Sequence, residues 1–175
     1  MRKILVVIDM QNDFIDGALG TEEAQQIVAP AAAKMASYPR KDIFATRDTH
    51  GADYLQTQEG RRLPVMHCIS GTPGWMIRDE IAAYLDPDQI IDKPTFGSVE
   101  LAARLRTISK QEEIELELIG LCTDICVVSN ALLLKACMPE VPIRVDASCC
   151  AGVTVASHEA ALQTMRSCQI EVCGV

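Results

Sequence analysis

Aromatic side chains are scarce: they make up 4% of the chain, while 49% of the residues are apolar. A core with that balance is aliphatic and alanine-rich, the usual filling between helices and a parallel sheet. Long apolar runs are missing as well. No stretch approaches the ~20 residues needed to cross a bilayer, and the run Ile4 to Ile8 meets Asp9 too soon to act as an export signal. Positive charge is also short, with 16 Lys and Arg against 24 Asp and Glu and a formal charge of −8. Such a surface repels phosphate backbones and anionic lipid, which argues against nucleic acid and membrane partners. No Gly-x-Gly-x-x-Gly or Gly-Lys-Ser loop occurs, so nucleotide binding has no local support and no organic cofactor is expected.

Cysteine is the exception, with eight in the chain, yet no Cys-x-x-Cys pair suggests structural zinc. Most lie inside apolar runs and read as reduced, buried thiols, which places the protein in the cytoplasm. A chain of 175 residues fits one domain, spanning 1–175. It can bury roughly 70% of its unfolded surface without disulfide or metal support.

Short β-branched runs alternate with helical stretches. Strands are expected at Lys3–Ile8, Asp42–Thr46, Gln89–Asp92, Ile114–Leu121, Val141–Val145 and Gln169–Cys173. Helices are expected at 22–37, 80–84, 99–107, about 124–136 and 158–167. This order predicts a three-layer α/β/α domain with a six-stranded, mostly parallel, Rossmann-like sheet. Ligands bind such sheets beyond the C-terminal strand ends. Those ends carry Asp9, Arg47 and Asp48, Lys93, Leu121 to Cys126, and Asp146. The long connection from Arg47 to about Gly74 is a further functional candidate.

Asp9 follows a buried strand, where partial desolvation raises a carboxyl pKa and makes a usable base; capping a turn is the alternative. Lys93 alone would be a solvated lysine. In Gly120-Leu121-Cys122-Thr123-Asp124-Ile125-Cys126-Val127 a strand runs into a helix with Thr123 or Asp124 at its N-cap. Cys126 then falls in the first turn, where the helix dipole favours a thiolate. It fits a buried core cysteine equally well.

Taken together, Asp9-Met10-Gln11-Asn12-Asp13-Phe14, the lysine of Asp92-Lys93-Pro94, and Gly120-x-x-Thr123-Asp124-x-Cys126-Val127 resemble the isochorismatase-like cysteine hydrolases, the superfamily that includes nicotinamidases. The resemblance implies a small-amide hydrolase working through a thioester. In it Cys126 is the nucleophile, Asp9 takes its proton and Lys93 stabilises the charges. The backbone N–H groups of Cys122 and Cys126 would form an oxyanion hole, with a cis peptide between residues 121 and 122. Gln11 and Phe14 would contact the substrate. A homo-oligomer is expected.

Asp48-x-His50 and the later His67 offer one carboxylate and two imidazoles, a set suited to a divalent ion. The resemblance implies that they hold one metal, zinc first and manganese or iron next, with Glu59 as a fourth ligand. Loop organisation by hydrogen bonding is the other reading. Nicotinamidases often carry an aromatic residue just before the second metal histidine, where this chain has Leu63-Pro64-Val65-Met66, so the amide need not be nicotinamide. A carbamoyl, ureido or isochorismate-like substrate without metal is the alternative. A thiol redox role for Cys122 and Cys126 or Cys149-Cys150, or a non-catalytic binding role, leaves the coincidence of Asp9, Lys93 and Cys126 unexplained.

Overall fold

Strand β1 (Arg2–Ile8) runs through the middle of the sheet, which is why its sequence is apolar without alternation. From Ile4 to Ile8 no residue is more than 1% exposed. The computed structural model describes residues 1–174. After β1 come the short helices α1 (Asn12–Ile15) and α2 (Glu22–Gln26), then α3 (Val28–Ala36) and strand β2 (Ile43–Asp48). Two short helices, α4 (Gln58–Arg62) and α5 (Asp79–Ala82), precede β3 (Ile90–Lys93) and α6 (Val99–Ser109). Strand β4 (Ile114–Leu121) leads through a π-helical turn, Thr123–Val127, into α7 (Val128–Cys137). The chain ends with β5 (Ile143–Ala151), α8 (Val155–Ser167) and β6 (Glu171–Cys173).

All six strands pair in parallel, in the order β3-β2-β1-β4-β5-β6. One face packs on α6, α7 and α8 through Leu101, Leu105, Leu134, Leu162 and Met165. The other packs on α2, α3 and α5 through Ala24, Ala31, Met35 and Ile81. The three-layer expectation therefore holds. The direction of winding reverses at β1, so the crevice opens between the ends of β1 and β4.

Three local expectations are corrected. The single helix over 22–37 is broken at Ile27, because Pro30 has no N–H for the Gln26 carbonyl and its ring crowds that turn. Strand β5 runs on to Ala151, so Asp146 sits inside the strand instead of ending it. There its carboxylate pairs with Lys34 Nζ at 2.6 Å, away from the crevice. Neither Thr123 nor Asp124 caps a helix; the π-turn instead begins after Cys122, whose carbonyl accepts the Val127 N–H at 3.0 Å.

Gly120 lets β4 lie close to β1 at the crevice. Its φ is +120°, and a Cβ there would run into the Ile8 carbonyl oxygen. Gly120→Ala should therefore destabilise the fold by about 3 kcal/mol or more, read from urea unfolding. An unchanged midpoint would contradict this close approach.

Candidate active site

The chain turns sharply out of β1 at Asp9, which takes a φ of +47°, a region aspartate tolerates better than most residues. The turn points its carboxylate inward, where it is fully buried. Oδ1 accepts a 2.7 Å hydrogen bond from Thr46 Oγ1 on β2. Oδ2 lies 2.7 Å from Lys93 Nζ as an ion pair, with no aligned hydrogen-bond donor among the described residues.

Lys93, the last residue of β3, is 1% exposed despite its charge. Its Nζ also lies 3.4 Å from Cys126 Sγ, 3.1 Å from the Thr95 carbonyl and 3.5 Å from Asp48 Oδ1. Cys126 sits in the π-turn, fixed from below by the buried Asn130, whose Nδ2 donates to its carbonyl at 2.8 Å. Three strand ends thus bring Asp9, Lys93 and Cys126 together around one ammonium group.

Burial raises the Asp9 pKa, with Lys93 opposing it. Burial also works against the Lys93 ammonium, but Asp9, Cys126 and Asp48 outweigh it and its pKa is raised. Burial, and then the negative charge of Asp9, hold the Cys126 thiol well above its usual range. The 2.7 Å ion pair of Asp9 with Lys93 therefore lies beside a thiol whose ionisation burial disfavours. This corrects the expectation of a dipole-stabilised thiolate, because desolvation is the larger influence here. Cys122 is half-buried in the cavity wall, and burial, then Asp124, push its thiol up to about 12. Burial thus disfavours its thiolate as well. The Leu121–Cys122 peptide is cis.

The second cluster lies along the same wall. Asp48 Oδ2 is 3.0 Å from His50 Nε2 and 3.8 Å from His67 Nε2, and Glu59 Oε1 is 3.7 and 3.9 Å from those nitrogens. His67 Nδ1 lies 2.8 Å from the Val65 carbonyl; donation to that oxygen leaves Nε2 as the ring's lone-pair nitrogen. His50 Nε2 is buried and has no aligned hydrogen-bond partner among the described residues. Burial opposes the Asp48 charge, but the neighbouring His50 ring, then the charge on Lys93, hold its pKa below the usual carboxylate value. Asp48, His50 and His67 can place ligand atoms within 4.8 Å of one another. An orphaned ring nitrogen beside a deprotonated carboxylate fits a divalent ion.

A cavity of about 670 Å³ joins the two clusters; Asp48, Glu59, His67, Cys122, Cys126 and Phe14 all line it. Phe14 packs against His67, with ring centroids 5.6 Å apart. Gln11 does not line the cavity, contrary to expectation. Its side chain is used up by the backbone: Nε2 donates to the carbonyls of Asp48 (2.8 Å) and Trp75 (2.9 Å), and Oε1 accepts the Asp48 N–H (2.7 Å). It positions Asp48. Trp75 also stays outside, donating to Thr49 and stacking on Arg47. Sequence reasoning passed over Thr46 and Asn130, two fully buried polar residues in otherwise apolar segments, and that contrast was the signal for both.

The isochorismatase domain family matches residues 3–175. The nicotinamidase/pyrazinamidase of Mycobacterium tuberculosis (strain ATCC 25618 / H37Rv) is 26% identical over 186 residues, covering 97% of this chain and 97% of that protein. Among solved structures, the nicotinamidase/pyrazinamidase of Bacillus subtilis superposes with a TM-score of 0.83 at 26% identity, over 99% of this chain and 100% of that one. The pyrazinamidase of Pyrococcus horikoshii, solved in complex with zinc, gives 0.79 at 26% identity over the whole of both chains.

Proposed function

Because the chain belongs to the isochorismatase domain family, we propose that it is an amidase that hydrolyses the C–N bond of a small amide through a thioester on Cys126. The observation that carries this reading is the Lys93 ammonium group, 2.7 Å from Asp9 and 3.4 Å from the sulfur of Cys126, a residue that lines a ligand-sized cavity.

The chemistry follows from the resting charges. Asp9 Oδ2 takes the thiol proton as Sγ attacks the amide carbon, so negative charge passes from carboxylate to oxyanion while Lys93 stays beside both. The backbone N–H groups of Cys122 and Cys126 receive that oxyanion. The intermediate collapses, the C–N bond breaks, and Asp9 returns its proton to the leaving nitrogen, which departs as ammonia. Water, deprotonated by Asp9, then attacks the thioester; the C–S bond breaks, the acid leaves and Cys126 regains its proton.

Asp48, His50 and His67, with Glu59 beside them, would hold one divalent ion, zinc foremost. The relative from Pyrococcus horikoshii was solved with zinc, which supports that choice. When bound, the ion supplies positive charge on the cavity wall that can hold an electron-pair donor of the substrate.

A panel of small amides assayed for ammonia release, with and without a chelator, tests the reading. Turnover of no amide, or turnover independent of Cys126, would sink it. Wild-type protein incubated with zinc should carry about one ion per chain, with occupancy falling below about pH 6 as protons compete for the imidazoles. His67→Ala should lower metal content at least ~10-fold by elemental analysis. If the wild type stays metal-free with zinc, manganese and iron, a metal-independent cysteine hydrolase replaces this part of the proposal.

A further inference from the structure

Three large apolar side chains are exposed around one opening. Leu63 is 38% exposed, Phe96 46% and Val153 51%, and all three line the cavity that contains Cys126. Apolar side chains scattered over a surface need no explanation, but a ring of them around a single opening marks a ligand groove.

Their backbones are not loose. The hydroxyl of Tyr54 donates to the Leu63 carbonyl at 2.9 Å. Asn130 Nδ2 donates to the Phe96 carbonyl at 3.0 Å as well as to that of Cys126. The Val153 N–H donates to Asp124 Oδ1 at 3.0 Å, within the nucleophile's own turn. Tyr54 and Asn130 are themselves buried. Buried polar groups therefore hold the mouth of the cavity in register with the nucleophile while its apolar side chains face water. A surface ordered before binding loses less entropy when it is covered.

The volume agrees. About 670 Å³ lies in the range that holds drug-sized ligands, far more than a carboxamide on one six-membered ring fills. Around that opening the lining is apolar: Leu63, Phe96, Ile125 and Val153.

We propose, resting on the amidase reading, that the preferred substrates are amides with a bulky apolar acyl group larger than a single ring. The distal part of that group would cover Leu63, Phe96 and Val153.

The test compares ammonia release from single-ring carboxamides, such as nicotinamide and pyrazinamide, with release from bicyclic carboxamides such as naphthalene and quinoline carboxamides. Wild-type kcat/KM should favour the bicyclic series at least ~10-fold, the effect expected for a newly filled apolar subsite. The double variant Phe96→Ser with Val153→Ser should bring that ratio to within about two-fold of unity, chiefly through KM for the bicyclic amides. Both positions are exposed, so the fold should tolerate the change. Val99→Ser, at a 73% exposed apolar residue outside the cavity wall, should leave the ratio as it is. Calorimetry on Cys126→Ala protein should show the same preference in binding.

Cys126-dependent turnover of both series with no bicyclic preference would overturn this inference and leave the amidase reading standing. Neither turnover nor binding of any amide would overturn both. Preferential binding of bicyclic amides that depends on Phe96 and Val153, without turnover, would support the apolar seat and overturn the amidase reading.

Discussion

Cys126→Ala should lower amide turnover by at least ~10⁴-fold while leaving the protein folded. In the proposed mechanism the sulfur is the atom that bonds to the acyl carbon. Cys122 shares the cavity, but burial disfavours its thiolate and its backbone belongs to the turn that would bind the oxyanion. The structural cost should be small. Cys126 is 4% exposed among Val127, Ala131 and Leu134, and alanine removes one atom from that cluster, worth about 1 kcal/mol. Substrate affinity should persist, because the cavity wall loses only the sulfur. Ammonia release beside urea unfolding separates the two effects. A variant that keeps a tenth of the activity would place the nucleophile elsewhere.

Lys93→Met should reduce both activity and stability, and the stability loss should depend on pH in a defined direction. The ammonium lies 2.7 Å from Asp9, and both side chains are at most 1% exposed. Removing one partner of a buried pair costs about 3–5 kcal/mol if the other stays charged. Asp9 can avoid that penalty only by taking up a proton. Burial already raises its folded pKa against the pull of Lys93, so without Lys93 it rises further.

A raised carboxyl pKa means that the folded state holds the proton more tightly than the unfolded chain, whose value is about 3.9. Below that pH both states are protonated and the variant is at its best. As pH rises from about 4 toward the folded pKa, stability falls by about 1.4 kcal/mol per unit. In the wild type, Lys93 has a raised pKa. Its contribution is complete below about 10.4 and is lost only as pH rises through the folded value. The wild type falls likewise as pH rises from about 4 to its own raised Asp9 value. The gap between variant and wild type should therefore widen above that value, up to the still higher one of the variant, in denaturant titrations. A gap independent of pH would mean that Asp9 and Lys93 are not a buried pair. Turnover should fall on the order of 10³-fold, the effect of losing a charged partner to the developing anion.

The positions that meet in the cluster were legible because each ends or closely follows an apolar run, and the strand-end rule converts that pattern into a place. Asp9, Lys93 and Asp48 needed only the expectation of parallel strands. Cys126 was legible as to site but not as to charge. Helix-terminus reasoning favoured a thiolate, whereas burial and a carboxylate neighbour dominate in the folded state. Gln11 was misread because its place beside Asp9 suggests the cavity, while a fully buried amide is first obliged to satisfy backbone groups. The residues around the mouth, Leu63, Phe96 and Val153, come from three separate loops. No periodicity links them, and only the folded backbone shows that they share an opening.

The central position of β1 also bears on how the enzyme is made. Its run Ile4–Ile8 leaves the ribosome well before β4, yet one edge of it pairs with β4, from Arg2 opposite Ile114 to Ile8 opposite Gly120. A growing chain must therefore carry an apolar strand with an open edge until β4 has been made, and open edges recruit other chains. Pairing across such a separation in sequence is slow compared with local helix formation. Asp9 and Cys126 follow the two strands that this pairing joins. In a refolding experiment, regained hydrolysis would time the closure of the sheet, whereas helical signals would report the faster collapse before it.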